Sequence, residues 1–327
     1  MIDPSAPLVE DPSPHLAEHA APAQPAAFAV PPGALPDTDV DRLAATVEDA
    51  RVPLAARLAA GQILAVRGDP RLTDPPPVCP VPGGPVTMGL APGGVAAVVA
   101  AWRHVGVEPA WIAKETPAHT VRLAPYWIAS YPVTNGEYAR FLHDTGRSRR
   151  PSTWQLGAYP WDRSNHPVAG VEPQDGDAYA DWLTARTGHP WRLPTEAEWE
   201  HAAAGPDRRE HPWGDAFDPA AANTRETGVH TTTPVGAFPA GRSWCGAMDM
   251  GGNVEEFVAD TYRPYPGAEA VSDDLTDAVG TYRVARGGSF CRYGDLTRAS
   301  RRHGPYPSPL YPIGFRLATS HDPGQRP

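Results

Sequence analysis

"RVARGGSFCRYGDLTRASRRHG", residues 283–304, holds Cys291, one of three cysteines in the chain, together with its one basic cluster, "RASRRHG". A free cysteine reads in two ways from sequence alone. It is a small hydrophobe packed in a core, or it is a single soft ligand at a reactive site. Which reading applies depends on the scaffold that carries the stretch.

At 327 residues, with 41% apolar residues, the chain can bury a sizeable core. The 41 prolines and 31 glycines are well above ordinary usage and predict many loops with little regular helix or strand. A net charge of −10 argues against a nucleic-acid surface, which needs clustered Lys and Arg on one face. No apolar run approaches the roughly 18–20 residues that cross a bilayer, and the opening "MIDPSAPLVEDPSPHLAEHAAP" has neither a basic start nor an apolar segment, so a cytoplasmic protein is expected. Cys79, Cys245 and Cys291 lie far apart in sequence without a CxxC pair, which predicts neither a disulfide framework nor a structural zinc site.

Residues 1–37 are Pro- and Ala-rich with few large apolar side chains, and are expected to be a flexible tail. The "HLAEH" within them has metal-like helical spacing, but its flanking prolines argue for a solvated segment. Residues 38–74 read as a small helical cap, with Leu54, Leu58, Leu64 and Ala65 along one face, followed by a main domain over 75–318 and a tail over 319–327. "CPVPGGPVTMG" (79–89) predicts strand, turn and strand around Gly83-Gly84. Two helices announce themselves by capping boxes, Thr134 with Glu137 and Thr195 with Glu198, and end at Gly146 and Gly205. Between them "PQDGDAYADWLTARTG" predicts a third helix burying Tyr179, Trp182 and Leu183. Helices in the middle and short strands at the end indicate an α+β domain with one irregular core.

Several segments in order carry a resemblance: "VPGGPVTMG", "ETPAHTVRLAPYWIASYPVTNGEYARFL", "HPVAGVEPQDGDAYADWL", "WRLPTEAEWEHAAAG", "HPWGD", "TPVGAFPAG", "DMGGNVEEFVAD", "RVARGGSF" and "GFRLA". They resemble the formylglycine-generating enzyme, or sulfatase-modifying factor, family over about residues 75–318. The resemblance implies a loop-rich mixed fold distantly like C-type lectins. The family's chemistry is diverse: copper-dependent oxidation of a sulfatase cysteine, one half of iron-dependent sulfoxide synthases, natural-product enzymes and binding domains. The fold alone therefore does not fix the reaction.

The resemblance also implies metal positions. "DMGGNVEEF" is similar to a calcium loop in which Asp249 and Glu256 supply side-chain oxygens and Gly252 and Val254 supply carbonyls, a donor set that suits a hard cation. A second calcium site would begin at Asn223 and the Thr224 carbonyl, but its following loop is about four residues shorter and lacks the expected Asp, which predicts a weakened site. Where the family's copper enzymes have two cysteines after "RGGS", this chain has only Cys291, about one position early, in a shortened segment. Soft copper(I) favours the paired thiolates, so the usual sulfatase-cysteine oxidation is not expected.

The resulting expectation is a metal-dependent, oxygen-using oxidoreductase, with iron or copper as the redox metal and calcium as a brace, acting on a small molecule or peptide in specialised metabolism. Cys291 and His303 are the candidate catalytic residues. Ser289, Arg292 and Tyr293 line the same cleft, with Arg298, Arg301 and Arg302 offered to an anionic substrate group. Two other readings remain open. One is a non-catalytic binding domain on the same scaffold. The other is an atypical sulfatase-maturation enzyme or the partner half of an iron-dependent sulfoxide synthase, for which a second protein supplies the missing half. His119, His166, His201 and His211 fall in segments expected to organise the fold, and no HExxH, GxSxG or Walker motif occurs.

Overall fold

The computed structural model describes residues 39–308 and 310–324. The expected tail over 1–37 and its "HLAEH" lie outside the described residues. Helix α1 (Val40–Val47) and helix α2 (Leu54–Arg67) form the N-terminal pair. Their apolar faces close over Ala237 and Phe238 of the main body, with Leu43, Val47, Ala60 and Leu64 buried between them. The seam of α2 runs through Arg57, Ala60, Gly61 and Leu64, so Leu54 and Leu58 are only partly buried at its edge. Gly61 sets this rotation, because a Cβ there would stand 2.4 Å from the Pro234 ring.

Strand β1 (Val78–Val81) and strand β2 (Gly84–Met88) occupy the expected positions but do not pair with each other. The chain changes sheets at Gly83-Gly84. Strand β2 pairs with β3 (His119–Leu123), and β1 pairs antiparallel with β4 (Tyr126–Ala129). Between β2 and β3 lie helices α3 (Val95–Trp102) and α4 (Pro109–Ala113), which the sequence reading did not place. They form a satellite cluster around Val98, Trp102, Val107 and Ile112.

Helix α5 (Asn135–Thr145) starts as its capping box predicts: Thr134 Oγ1 accepts from the Glu137 amide, and the Thr134 amide donates to Glu137 Oε2 at 2.8 Å. Helix α6 (Pro173–Thr187) stacks on it through Tyr138, Phe141 and Tyr179, and Phe315 closes the same aromatic cluster. Strand β5 (Trp191–Arg192) leads to helix α7 (Glu196–Ala204), which carries the Thr195/Glu198 box. Glu198 also accepts two hydrogen bonds of 2.7 Å from Arg192.

The C-terminal third contains β6 (Glu255–Thr261), α8 (Asp274–Val279), β7 (Arg283–Arg286), β8 (Ile313–Phe315) and β9 (Ala318–Thr319). Strand β9 completes a four-stranded sheet in the order β1-β4-β9-β5, and β7-β6-β8 forms a second sheet. Most connections between these elements are loops, in line with the high Pro and Gly content. No helix among the described residues is long and apolar enough to cross a membrane.

Candidate functional site

Strand β6 organises the site because successive side chains on a strand face opposite ways. Glu255 and Glu256, adjacent and both buried, are sent to different surroundings. Glu256 enters the core, where it accepts two 2.6 Å hydrogen bonds from Arg316 and one of 2.7 Å from Trp199 Nε1. Glu255 turns to the other side and meets His303 and Tyr311.

His303 is held by its own backbone, which exchanges two hydrogen bonds with Ala285 at the edge of β7 (2.8 and 3.0 Å). Its Nδ1 lies 2.8 Å from Glu255 Oε2 and 3.2 Å from the Tyr311 hydroxyl. The Tyr311 hydroxyl donates to Glu255 Oε1, and Arg292 Nε donates to that hydroxyl at 2.9 Å. Burial pushes His303 down, and the attraction of Glu255 only partly offsets it, leaving the imidazole below its ordinary value. Burial alone would raise Glu255, but His303, Arg292 and the Tyr311 hydrogen bond outweigh it and hold the carboxyl low. In the neutral imidazole the contact with Glu255 puts the ring proton on Nδ1, which leaves Nε2 as the acceptor.

Two cavities adjoin this cluster. One, of about 550 Å³, is lined by Tyr311, Tyr306 and Phe257, with Arg149, Arg150 and Asp175 on its walls. The other, of about 80 Å³, is lined by His303, Arg292, Arg301, Lys114 and Asp273. Tyr306 lines both. Cys291 is exposed, its sulfur 3.5 Å from Ser289 Oγ. Partial desolvation of the sulfur holds the thiol above its ordinary value, with Glu255 adding to the rise and Ser289 and Arg292 pulling against it. The structure thus brings Arg292 and His303 to the Glu255–Tyr311 pair, whereas Cys291 and Ser289 meet each other and line neither cavity. Tyr293 faces away from this group toward Arg225, whose guanidinium lies 5.0 Å from its ring centre.

The three arginines of the "RASRR" segment, Arg298, Arg301 and Arg302, are placed differently. Arg298 is fully buried and makes a two-pronged pair with Glu115, both bonds 2.9 Å, with Glu210 on its remaining side. Arg302 makes a similar pair with Glu196 (2.8 and 2.9 Å), and Arg286 shares that carboxylate. Charge pairing inside the fold therefore occupies two of the three guanidiniums expected to meet an anionic substrate group. Arg301 borders the smaller cavity, stacked over Trp111, and is itself buried, with Nε 3.6 Å from Asp295 and 4.0 Å from Glu115.

The two expected calcium loops meet. Residues 223 and 252 form a parallel bridge, and the Asn253 amide donates to the Asn223 carbonyl at 2.8 Å. Gly252 makes this approach possible, at φ +82° and with its Cβ direction ending 2.6 Å from the Asn223 carbonyl oxygen. Asp249 accepts from the Gly236 amide at 2.6 Å and from Asn253 Nδ2 at 3.4 Å, and burial pushes its carboxyl up to about 6. Asn223 Oδ1 and Thr224 Oγ1 are buried and have no hydrogen-bond partner, so the Asn223 corner offers the free oxygens that a hard cation takes. Glu256 offers less, because Arg316 neutralises it. Among the described residues no three His, Cys, Asp or Glu side chains converge to hold a metal ion. Cys291 and His303 do not complete a copper or iron ligand set by themselves.

Glu255 and Tyr311 were missed in the sequence. The signal for Glu255 was the doubled "EE" in a strand, where one carboxylate must face the other way from its neighbour. For Tyr311, in "PSPLYPIGF", there was none.

The chain matches the sulfatase-modifying factor enzyme 1-like domain over residues 65–321. It is 35% identical over 236 residues to a hercynine oxygenase of Mycolicibacterium thermoresistibile, covering 61% of this chain and 52% of that protein. To a formylglycine-generating enzyme of Streptomyces coelicolor it is 33% identical over 267 residues, covering 64% of this chain and 82% of the relative. Among solved structures, PvdO from Pseudomonas aeruginosa aligns with a TM-score of 0.56 at 28% identity, over 75% of this chain and 94% of that one. The chain spans about half the length of the hercynine oxygenases it matches. It belongs to the sulfatase-modifying factor enzyme 1-like family and has that family's loop-rich α+β fold.

Proposed function

We propose that this chain is an oxygen-using oxidoreductase of specialised metabolism, acting on a small molecule or peptide bound in the cavity beside Tyr306 and Tyr311. The observation that carries this reading is the Glu255, His303, Tyr311 and Arg292 cluster at the boundary of two cavities. A buried, hydrogen-bonded set of titratable groups facing a concave site is the ordinary form of an acid–base centre. Similarity to proteins named hercynine oxygenase and formylglycine-generating enzyme supports oxidation as the reaction class.

In this reading Glu255 fixes the His303 tautomer, and Nε2 accepts a proton from a substrate group that reaches past Tyr306 into the smaller cavity. Tyr311 relays between Glu255 and the larger cavity, and the Arg292 guanidinium holds negative charge beside it. Cys291 and Ser289 lie at the edge of the same cluster. A redox metal, iron or copper, would supply the oxygen chemistry, with the balance of its ligands coming from substrate or from a partner protein. Calcium would brace the junction of the 223 and 252 segments. The unpaired cysteines suit the reducing cytoplasm as the place of action.

The test combines metal analysis with turnover. Protein purified without chelators is assayed for calcium, iron and copper. It is then reloaded with iron or copper and supplied with thiol- or amine-bearing small molecules and peptides while oxygen uptake and product mass are followed. Oxygen consumption that falls with His303→Gln supports the proposal. Calcium alone, no uptake under any loading and ligand binding indifferent to the substitution would replace it with a non-catalytic binding domain.

A further inference from the structure

Cys79 and Cys245, far apart in sequence, are neighbours in space. Cys79 points inward from β1, opposite Ile128 of β4. Cys245 sits in a tight turn closed by hydrogen bonds between Ser243 and Ala247 and from the Gly246 amide to the Ser243 carbonyl. That turn presses on β1: a Cβ added to Gly246 would lie 3.4 Å from Cys79 Sγ. The two side chains belong to one packed cluster, and each is the strongest influence on the other's acidity. Both also have polar company, Ser130 Oγ at 3.5 Å from Cys79 and Ser243 Oγ at 3.3 Å from Cys245. Cys79 is buried, whereas Cys245 is only partly so, which leaves one edge of the pair within reach of a small reagent.

Simple packing does not account for this environment. A cysteine acting as a small hydrophobe is surrounded by apolar atoms. Here the apolar side chains around the pair, Val81, Ile128 and Trp199 among them, are joined by a hydroxyl on each sulfur, at a spot that also feels Arg316 and Arg242. The Cys245 side chain, helped by those arginines, draws the Cys79 thiol down to about 6, while Cys245 rises in return. The pair therefore shares one readily formed thiolate, the nucleophilic form.

We propose that Cys79 and Cys245 form an oxidisable dithiol, a modification site that a hydroperoxide closes to a disulfide joining β1 to the turn at 243–247. The thiolate attacks the peroxide O–O bond, which breaks to give a sulfenic acid and hydroxide. The second thiol then attacks the sulfenic sulfur, the S–S bond forms, and the oxygen leaves as water. The sulfurs together lose two electrons, hydrogen peroxide gains two, and two waters result once the hydroxide takes up the proton released by the first thiol. The crosslink would tether the segment that continues into Asp249 and Asn253 and then into Glu255. It stands independently of the proposed reaction, because Cys291 and the cavities take no part in it.

The full chain is treated with hydrogen peroxide, quenched with catalase, denatured, alkylated and mapped by mass spectrometry. Cys79 and Cys245 are expected to lose alkylation in step, to appear as one linked peptide pair and to return to thiols with dithiothreitol, with Cys291 outside the link. The oxidised form is expected to melt several degrees higher, roughly 5 °C for a crosslink closing a long loop. In Cys245→Ser the linked pair is absent and Cys79 proceeds to a higher oxide or a mixed disulfide. Oxidation at a single cysteine in the natural chain, a link involving Cys291, or both thiols still alkylated after Cys291 has oxidised would each overturn the proposal.

Discussion

The two halves of residues 289–302, which follow the buried Arg286–Glu196 pair, put arginine to different uses. In the second half Arg298 and Arg302 lie fully buried, each locked to a glutamate from a distant segment. In the first half Cys291 is exposed, and Arg292, only half-buried, reaches Tyr311 beside a cavity. The difference lies in what faces each guanidinium. Glu115 and Glu196 meet Arg298 and Arg302 with both oxygens, whereas Arg292 meets a phenol already engaged with Glu255. A basic cluster in sequence is therefore no guide to an anion-binding surface until its carboxylate partners are located.

The largest effect should come from breaking the locked half. Arg298→Met removes the two-pronged partner of the buried Glu115 and leaves it only Ser300 and, at 4.0 Å, Arg301, a loss of the kind that costs about 3–5 kcal/mol in buried pairs. Urea or thermal unfolding should show a large drop in stability, and the double variant with Glu115→Leu should recover part of it. A shift below about 1 kcal/mol would mean that water reaches this pair and that the contrast between the halves is false.

The open half should respond in function rather than folding. Tyr311→Phe removes one hydroxyl and its hydrogen bonds, about 1 kcal/mol of stability. It should lower kcat/KM or ligand affinity at least tenfold, about 1.4 kcal/mol in the binding or transition-state term. A Tyr311→Phe protein of full activity and affinity would remove Tyr311 from the site.

A third test sharpens the comparison through pH. Burial, with Arg163 adding to it, holds His166 down at about 3, and burial with Arg298 holds His211 at about 4. Below the ordinary histidine value the unfolded chain takes up protons that the folded chain refuses, so stability falls as pH drops from about 6.5 toward these values, at most by about 1.4 kcal/mol per pH unit for each histidine. His211→Gln, which keeps a polar group for the Thr297 hydroxyl, should flatten the slope between pH 6 and pH 4 in denaturant melts. An unchanged slope would assign acid sensitivity to the carboxylates instead.

The sequence by itself determined what depends on near neighbours in the chain. Thr134 with Glu137 and Thr195 with Glu198 announce helix starts because the two groups lie three residues apart, and that spacing brings them together in any context. The many prolines and glycines fix a loop-rich domain, and the ordered family segments fix which one. Tertiary structure alone decided which strands pair, so that β1 and β2 parted into different sheets at Gly83-Gly84. It also decided which carboxylate meets which cation. Glu255 and Glu256 are adjacent and chemically the same, and the pleat sends one to His303 and the other to Arg316. Two cysteines that look unrelated in sequence come into one packed cluster by the same means. Charge and thiol chemistry act over a few ångströms of space, whatever the length of chain between the groups, and only the folded path sets those distances.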